Sequence, residues 1–392
     1  MLGLALEGGG SKGAYEIGAY KALEELGFHF DAVVGSSIGA INAALIASGD
    51  VDRAVEFWST MTTEDLFDDK DKGFLDVINL QFDLDTLSIL RENIKTAKKN
   101  GGIDTGRIRR FLEENINVEH LMESPMDFGM AAVSFPEMKP LYAFREDMTP
   151  ENVIDHILAS ATFAGFQMTE IGDKKYVDGG FHDSCPYNML FDRGFDEVVA
   201  IRLFGFGIIR PPHKKEGLIN ILPSEPLGSV MNFDPEVSKR NLKLGYYDTM
   251  RTMKKLPGEH YYFDRRLDGF ETFLSLTPEY ITAAASALRI SPSYPPRRAL
   301  FEEILPSVAS ECKLPKSADY DDLLLAMIEH RAERLGIDRL QIVTPQDLLK
   351  QVREMPLELS RRPILLPRSD DAIDTLLYGI TLPNDPGKSL ME

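Results

Sequence analysis

Cysteine is scarce in this chain: Cys185 and Cys312 are the only two in 392 residues. Two thiols cannot build a disulfide framework, so the fold must rest on an apolar core, and a reducing compartment is expected. No apolar run approaches the ~18 residues that a membrane-spanning helix requires. A basic leader with an uninterrupted apolar segment is also missing from the N-terminus, because Gly8 to Lys12 breaks the run. These absences point to a soluble, cytoplasmic protein. Positive charge is in short supply as well: 43 Lys and Arg stand against 62 Asp and Glu, a net charge of −19. Residues 1–200 hold 35 acids and 17 bases, whereas residues 201–392 hold 27 and 26. A wide acidic surface would set carboxylates against phosphates, which excludes nucleic acid as a partner. There is no internal repeat and no low-complexity tract. With 43% hydrophobic and 27% charged residues, the composition is globular rather than disordered, collagen-like or coiled-coil. At ~150 residues per domain, two or three folding units are expected.

The order of apolar runs and glycines is more informative. Leu2 to Leu6 reads as a buried strand. Gly8 to Gly13 follows it, then a helix with Ile17, Tyr20, Leu23 and Leu26 at near-helical spacing, closed by Gly27 in a left-handed conformation. Asp31 to Val34 is a second short strand. The helix from Ile38 to Ala47 is apolar almost all round and belongs in the core. Strand, helix, strand, helix predicts a parallel sheet covered by helices on both faces, an α/β fold. Met126 to Ser134, Leu141 to Phe144 and Glu197 to Phe204 read as further strands, and Thr149-Pro150 as a helix start. Residues 1–205 form one unit. Within it, 61–104 reads as an insertion and candidate lid. Residues 206–226, rich in proline and glycine, read as a linker, and 227–392 as a mainly helical region with helices over 235–256, 277–289, 318–335 and 344–356.

Three glycine-bounded motifs carry the chemistry. Gly35-x-Ser37-x-Gly39 lies between a strand and an apolar helix, the nucleophile-elbow pattern. Its turn is so tight that flanking side chains would collide, and it leaves a serine at a helix N-terminus, where backbone amides favour negative charge. A plain N-cap serine is the bland reading. Gly8 to Gly13 satisfies G-x-G-x-x-G, and Asp31 lies 18 residues beyond Gly13, a fair dinucleotide fingerprint. The same glycines, Gly8, Gly9 and Gly10, also suit an oxyanion hole. Asp31 begins the second strand instead of ending it, which favours the oxyanion reading and leaves dinucleotide binding as the alternative. Asp178-Gly179-Gly180 is by itself a tight turn, yet a carboxylate there can approach a serine closely. Of the seven histidines, His182, His213, His260 and His330 follow Asp178; a Ser-Asp-His order is a minority reading.

Together these motifs, with Lys12 where many members have arginine, resemble the patatin-like phospholipase family. Ala159 to Phe163 also resembles the family's block between elbow and aspartate, although a proline often seen after it is absent. The resemblance covers about residues 1–205. It implies a three-layer α/β/α fold with a mostly parallel sheet and a serine–aspartate dyad without histidine. By motif position, Ser37 is the nucleophile, Asp178 the base, and Gly8, Gly9 and Gly10 surround the oxyanion. Lys12, Gly13, Gly35, Gly39, Gly179 and Gly180 support them. No metal or cofactor is implied. The substrate class implied is a phospholipid or other lipid ester, cleaved through an acyl-enzyme, with peripheral membrane contact. A catalytically idle scaffold on the same fold is a further alternative. An ordinary aspartate, with a pKa of ~3.9, is a feeble base for a hydroxyl, so Asp178 is predicted to be partly desolvated. Two stretches are candidates for lipid contact: Phe74 to Leu90, and Lys239 to Arg266 with eight bases and three acids. The second is expected to pair instead with the acidic first 200 residues.

Overall fold

Gly3 to Leu6 are all buried, and so are all five residues from Ala32 to Ser36. Strands flanked by neighbours on both edges and covered on both faces must be apolar throughout, which is why neither run alternates. The computed structural model describes residues 1–71, 73, 75–76, 102–354 and 369–381. Its main sheet contains, in chain order, β1 (Leu2–Leu6), β2 (Ala32–Ser36), β3 (Asp127–Phe135), β4 (Pro140–Phe144), β5 (Thr169–Ile171), β6 (Lys174–Asp178), β7 (Glu197–Ile201) and β8 (Leu218–Ile221). The spatial order is β5-β6-β3-β2-β1-β7-β8, with β4 also paired to β3. Pairings from β8 through β7, β1 and β2 to β3 are parallel, while β4, β6 and β5 add antiparallel ladders.

Helices α1 (Ala14–Glu25), α2 (Ile38–Ala47) and α3 (Val51–Thr60) follow the first two strands. Every residue of α2 is buried; it packs on β1, β2 and β3 and has α1 and α3 as neighbours. Gly27 and Gly49, at φ +81 and +80, end α1 and α2 in the left-handed conformation. The helix Tyr187–Asp192 covers the opposite face, where Leu190 and Phe195 join Ala5, Val34 and Val198. The architecture is therefore three-layered, α/β/α, with a mostly parallel sheet.

Local departures from the sequence reading have local causes. The helix expected from Pro150 is Val153–Ser160, because Asn152 Oδ1 accepts the Thr149 N–H at 2.8 Å and holds a turn ahead of it. β7 stops at Ile201, and Phe204 adopts φ 45, which no strand tolerates. Residues 206–226, read as a linker, contain the edge strand β8. The chain divides into two compact units, Met1–Thr252 and Met253–Glu392, so the first extends beyond residue 205. Of the candidate lid, Leu75 is buried and Asp76 is described; the rest of Phe74 to Leu90 lies outside the described residues.

The second unit is mainly helical, with helices Pro278–Ala287, Tyr320–Arg334, Pro345–Glu354 and Ser369–Gly379 among others. Its core gathers Phe273, Ile281, Leu300, Met327, Leu348 and Ile373. The buried Glu329 Oε1 accepts the consecutive amides of Glu259, His260 and Tyr261, and buried Arg331 pairs with Asp374 at 2.5 Å. In the basic stretch Lys239 to Arg266, ion pairs join Lys239 to Glu236, Arg240 to Glu225 and Arg266 to Asp319. These partners lie at 225–319, not in the first 200 residues; Tyr246 does reach back, to Glu25 at 2.7 Å. No described helix is long and apolar enough to cross a membrane.

Candidate active site

β3 brings together residues that are 141 apart in the chain. β4 pairs with Gly129 to Val133, overlapping β2 at Gly129 to Ala131 and β6 at Ala132 and Val133. A strand has two edges, so β2 and β6 must share the other edge of β3. β2 runs parallel to β3 and ends with Ser36 opposite Ala131, while β6 runs antiparallel and ends with Asp178 opposite Ala132. The two strands meet tip to tip, and the residues at their tips converge.

Ser37 follows β2 with φ 56 and ψ −127, a conformation that costs a β-carbon-bearing residue about 1–3 kcal/mol. Gly35 and Gly39 make the bend sterically feasible: a Cβ on the first would lie 2.1 Å from the Gly39 carbonyl oxygen, and on the second 2.6 Å from that of Leu6. The buried Ser160 hydroxyl fastens the bend. It accepts the Ser37 N–H at 2.9 Å and donates to the Ala131 carbonyl at 2.6 Å. Ser37 Oγ then donates to Asp178 Oδ2 at 2.5 Å.

Asp178 is 3% exposed, and its other oxygen accepts the Gly180 N–H at 2.7 Å. Burial pushes its carboxyl up to about 6, against the opposing pull of the hydrogen bonds from Ser37 and Gly180. Gly179 has no room for a side chain, since a Cβ would sit 2.2 Å from the Ala131 carbonyl oxygen and 2.5 Å from Ser36 Oγ.

Of the three loop glycines, Gly8 leaves the expected set of oxyanion donors. Its N–H is donated to the Ser184 carbonyl at 2.8 Å, although its Cα remains against Ser37. The Gly9 and Gly10 amides donate to no protein acceptor among the described residues. Gly10 has φ +57 and lies so close to the Val230 carbonyl that a Cβ would approach it to 2.1 Å. Lys12 extends to the Phe204 carbonyl at 3.0 Å, and burial lowers its pKa. Gly13 lets Ile38 and Trp58 pack closely, and its carbonyl accepts from Asn42 at 2.9 Å. Asp31 is at the far end of β2, accepting the Leu2 N–H at 2.8 Å. A whole strand therefore separates it from Gly8 to Gly13, contrary to what a dinucleotide site needs. His182 faces Arg210, at 3.0 Å, and among the described residues no histidine is hydrogen-bonded to Ser37 or Asp178.

Ser37 and Asp178 open onto a mainly apolar pocket. Its wall includes seven phenylalanines, Phe57, Phe67, Phe111, Phe163, Phe166, Phe206 and Phe233, together with Ile38, Ile41 and Met61. Phe206 and Phe233 lie in segments that gave no sign of a site. Their only signal in the sequence is the recurrence of phenylalanine, which also suits a plain core.

Residues 4–191 match the family model described as patatin-like phospholipase. Among curated proteins, the chain is 25% identical over 216 residues to neuropathy target esterase sws of Drosophila melanogaster, covering 51% of this chain and 13% of that protein. It is 52% identical over 46 residues to lysophospholipase nte1 of Aspergillus terreus, covering 12% of this chain and 3% of that protein. The chain thus spans a small fraction of the length of these relatives. Among solved structures, VipD from Legionella pneumophila aligns with TM-score 0.43 and 12% identity, over 95% of this chain and 83% of that one. The ExoU–SpcU complex of Pseudomonas aeruginosa aligns with TM-score 0.33 and 17% identity, over 95% and 74%.

Proposed function

Since residues 4–191 of this chain are a patatin-like phospholipase domain, we propose that the protein is a lipid acyl hydrolase of the phospholipase A or lysophospholipase type, with Ser37 as nucleophile and Asp178 as base. The observation that carries this reading is the 2.5 Å hydrogen bond from Ser37 Oγ to a buried carboxylate at the floor of an apolar cavity. The phenylalanine lining of this pocket suits an acyl chain.

In the first half-reaction Ser37 Oγ attacks the ester carbonyl while its proton passes to Asp178 Oδ2. Negative charge develops on the carbonyl oxygen, and the open amides of Gly9 and Gly10 supply donors for it. The tetrahedral intermediate collapses, the leaving alcohol takes the proton from Asp178, and an acyl-Ser37 ester remains. Water then attacks that ester, Asp178 again accepting a proton, and the fatty acid leaves as Ser37 is restored. A carboxyl pushed up to about 6 is better matched to this task than an ordinary aspartate. The bend at Ser37 and the fixed amides exist before substrate arrives, so little reorganisation accompanies the chemistry.

The test is covalent labelling by a fluorophosphonate with peptide mapping, alongside hydrolysis of lysophosphatidylcholine. Label on Ser37, lost in Ser37→Ala, with turnover also lost in Asp178→Asn, is the expected result. Labelling at another serine, or full turnover in either variant, would overturn the assignment.

A further inference from the structure

Glu7 stands between β1 and the glycine loop, 1% exposed, and the mechanism above gives its carboxylate no part. A carboxylate out of water is stable only where several donors meet it. Oε2 accepts from Arg202 Nε at 2.6 Å and from the Leu203 N–H at 3.0 Å, while Oε1 accepts the Gly205 N–H at 3.1 Å. All three donors belong to the segment that leaves β7, at least 195 residues further along the chain. The arrangement is particular to glutamate. Glutamine would offer one acceptor oxygen where two are in use, and aspartate would be a methylene short.

The residues that Glu7 holds press on the glycine loop. The Leu203 side chain lies on Gly9, where a Cβ would come within 2.7 Å of its Cδ1. Gly205 lies on Gly8 and Gly9: a Cβ on it would be 1.9 Å from the Gly8 carbonyl oxygen and 2.8 Å from Gly9 Cα. Lys12 closes the other end by donating to the Phe204 carbonyl at 3.0 Å. A second support meets the loop further on. The Ser11 N–H donates to the Val230 carbonyl at 2.7 Å, and Ser11 Oγ to the Ser229 carbonyl at 2.6 Å. Gly9 and Gly10, whose amides donate to no protein acceptor among the described residues, are thus set between two fastened segments.

We propose that Glu7 is a positioning residue for the oxyanion: by fixing residues 203–205 it holds the Gly9 and Gly10 amides where the ester's carbonyl oxygen becomes charged. This rests on the hydrolase reading, in which those amides are the donors. Among the described residues Glu7 makes no hydrogen bond to Ser37 or Asp178. Its replacement therefore leaves nucleophile and base in place and weakens only the stabilisation of the developing charge.

The experiment compares an alkyl trifluoromethyl ketone with the alcohol of the same skeleton, on the full chain. Ser37 Oγ bonds to the ketone carbon, the π pair moves to the carbonyl oxygen and the serine proton to Asp178, so the hemiketal places an oxyanion in the loop. The alcohol reports ground-state binding alone. Glu7→Gln should bind the ketone at least about tenfold more weakly and the alcohol within about twofold. On p-nitrophenyl butyrate, a soluble ester, kcat should fall in step with ketone affinity while KM stays within about twofold. Fluorine NMR of the bound hemiketal should show its oxygen ionising at a higher pH than in wild type, because the anion is less well held. Glu7→Gln leaves Arg202 without its carboxylate, so Glu7→Gln with Arg202→Met removes both charges together. That double variant should melt closer to wild type and still bind the ketone weakly, since one oxygen again serves two amides. Wild-type ketone affinity in the double variant, or equal losses for ketone and alcohol, overturns the proposal. A wild type that forms no hemiketal sinks the hydrolase reading, and this role with it; one that forms it and loses nothing on substitution sinks the role of Glu7 alone.

Discussion

Ser36 and Asp178 face consecutive residues of β3, Ala131 and Ala132, from the tips of two strands that approach end-on along one edge. The site depends on this meeting more than on any single side chain, because it sets where the Ser37 hydroxyl and the Asp178 carboxyl can go. Gly179 is where it is most easily disturbed. Gly179→Ala places a methyl 2.2 Å from the Ala131 carbonyl oxygen, and the β6 tip must retreat. The expected outcome is a loss of about 1–3 kcal/mol in urea unfolding and a kcat on p-nitrophenyl butyrate at least about tenfold lower. Unchanged kcat would show that the tips tolerate separation.

A second prediction follows from the carboxyl pushed up to about 6. As a base Asp178 must be ionised, so kcat/KM should fall below an apparent pKa near 6, about tenfold per pH unit. Stability moves the other way. Between the ordinary value of 3.8 and about 6 the folded protein holds a proton that the unfolded chain has released. Stability therefore declines as pH rises through that window, by at most about 3 kcal/mol, and stays lowered above it. Asp178→Asn removes the charge and keeps an acceptor for Gly180. Its melting temperature should exceed that of wild type at pH ~8, with the gap closing toward pH ~4. Thermal melts across that range check it; a variant less stable at both ends contradicts it.

Ser160 does not line the pocket, yet it holds both the Ser37 amide and the Ala131 carbonyl. Ser160→Ala leaves a buried donor and acceptor unpaired and frees the bend. We expect kcat to drop by about 10- to 100-fold with KM within about twofold, since positioning rather than binding is lost. A variant that melts earlier but turns over normally would reduce Ser160 to a structural role.

Phe166 lies in the cavity wall, with Phe67 and Phe163 beside it at ring-centroid distances of 5.7 and 6.3 Å. Phe166→Trp narrows the space without removing apolar surface. Esters with long acyl chains should lose about tenfold in kcat/KM while butyrate esters change little. A uniform loss across chain lengths would place the acyl chain elsewhere.

Much of this was readable from residue order. β1, β2 and α2 fall close to where apolar runs placed them, because buried parallel strands and a core helix are apolar all round and leave no ambiguous face. Ser37 and Asp178 were marked by the glycines that their tight turns require. Other features were not legible for physical reasons. Sequence does not say where an amide points, so the commitment of Gly8 to Ser184 was hidden. β8 is a four-residue edge strand inside a proline- and glycine-rich stretch, which masks its pattern. Ser160 was noticed only through a family resemblance, since a lone serine at a helix end carries no mark of what it will bond. The ion partners of Arg240 and Arg266 depend on how loops fold back, which charge counting does not resolve.

Ser184 carries one last implication. Its carbonyl takes the Gly8 amide, its amide the Ile208 carbonyl, and its hydroxyl the Phe206 carbonyl. One residue thus rivets the glycine loop after β1 to a segment two hundred residues downstream. Such a joint does not fray in steps: when it breaks, the amides of Gly8 and Ser184 are released in a single event. In deuterium exchange they should behave as one cooperative unit, and the protein should switch between a fully assembled machine and none.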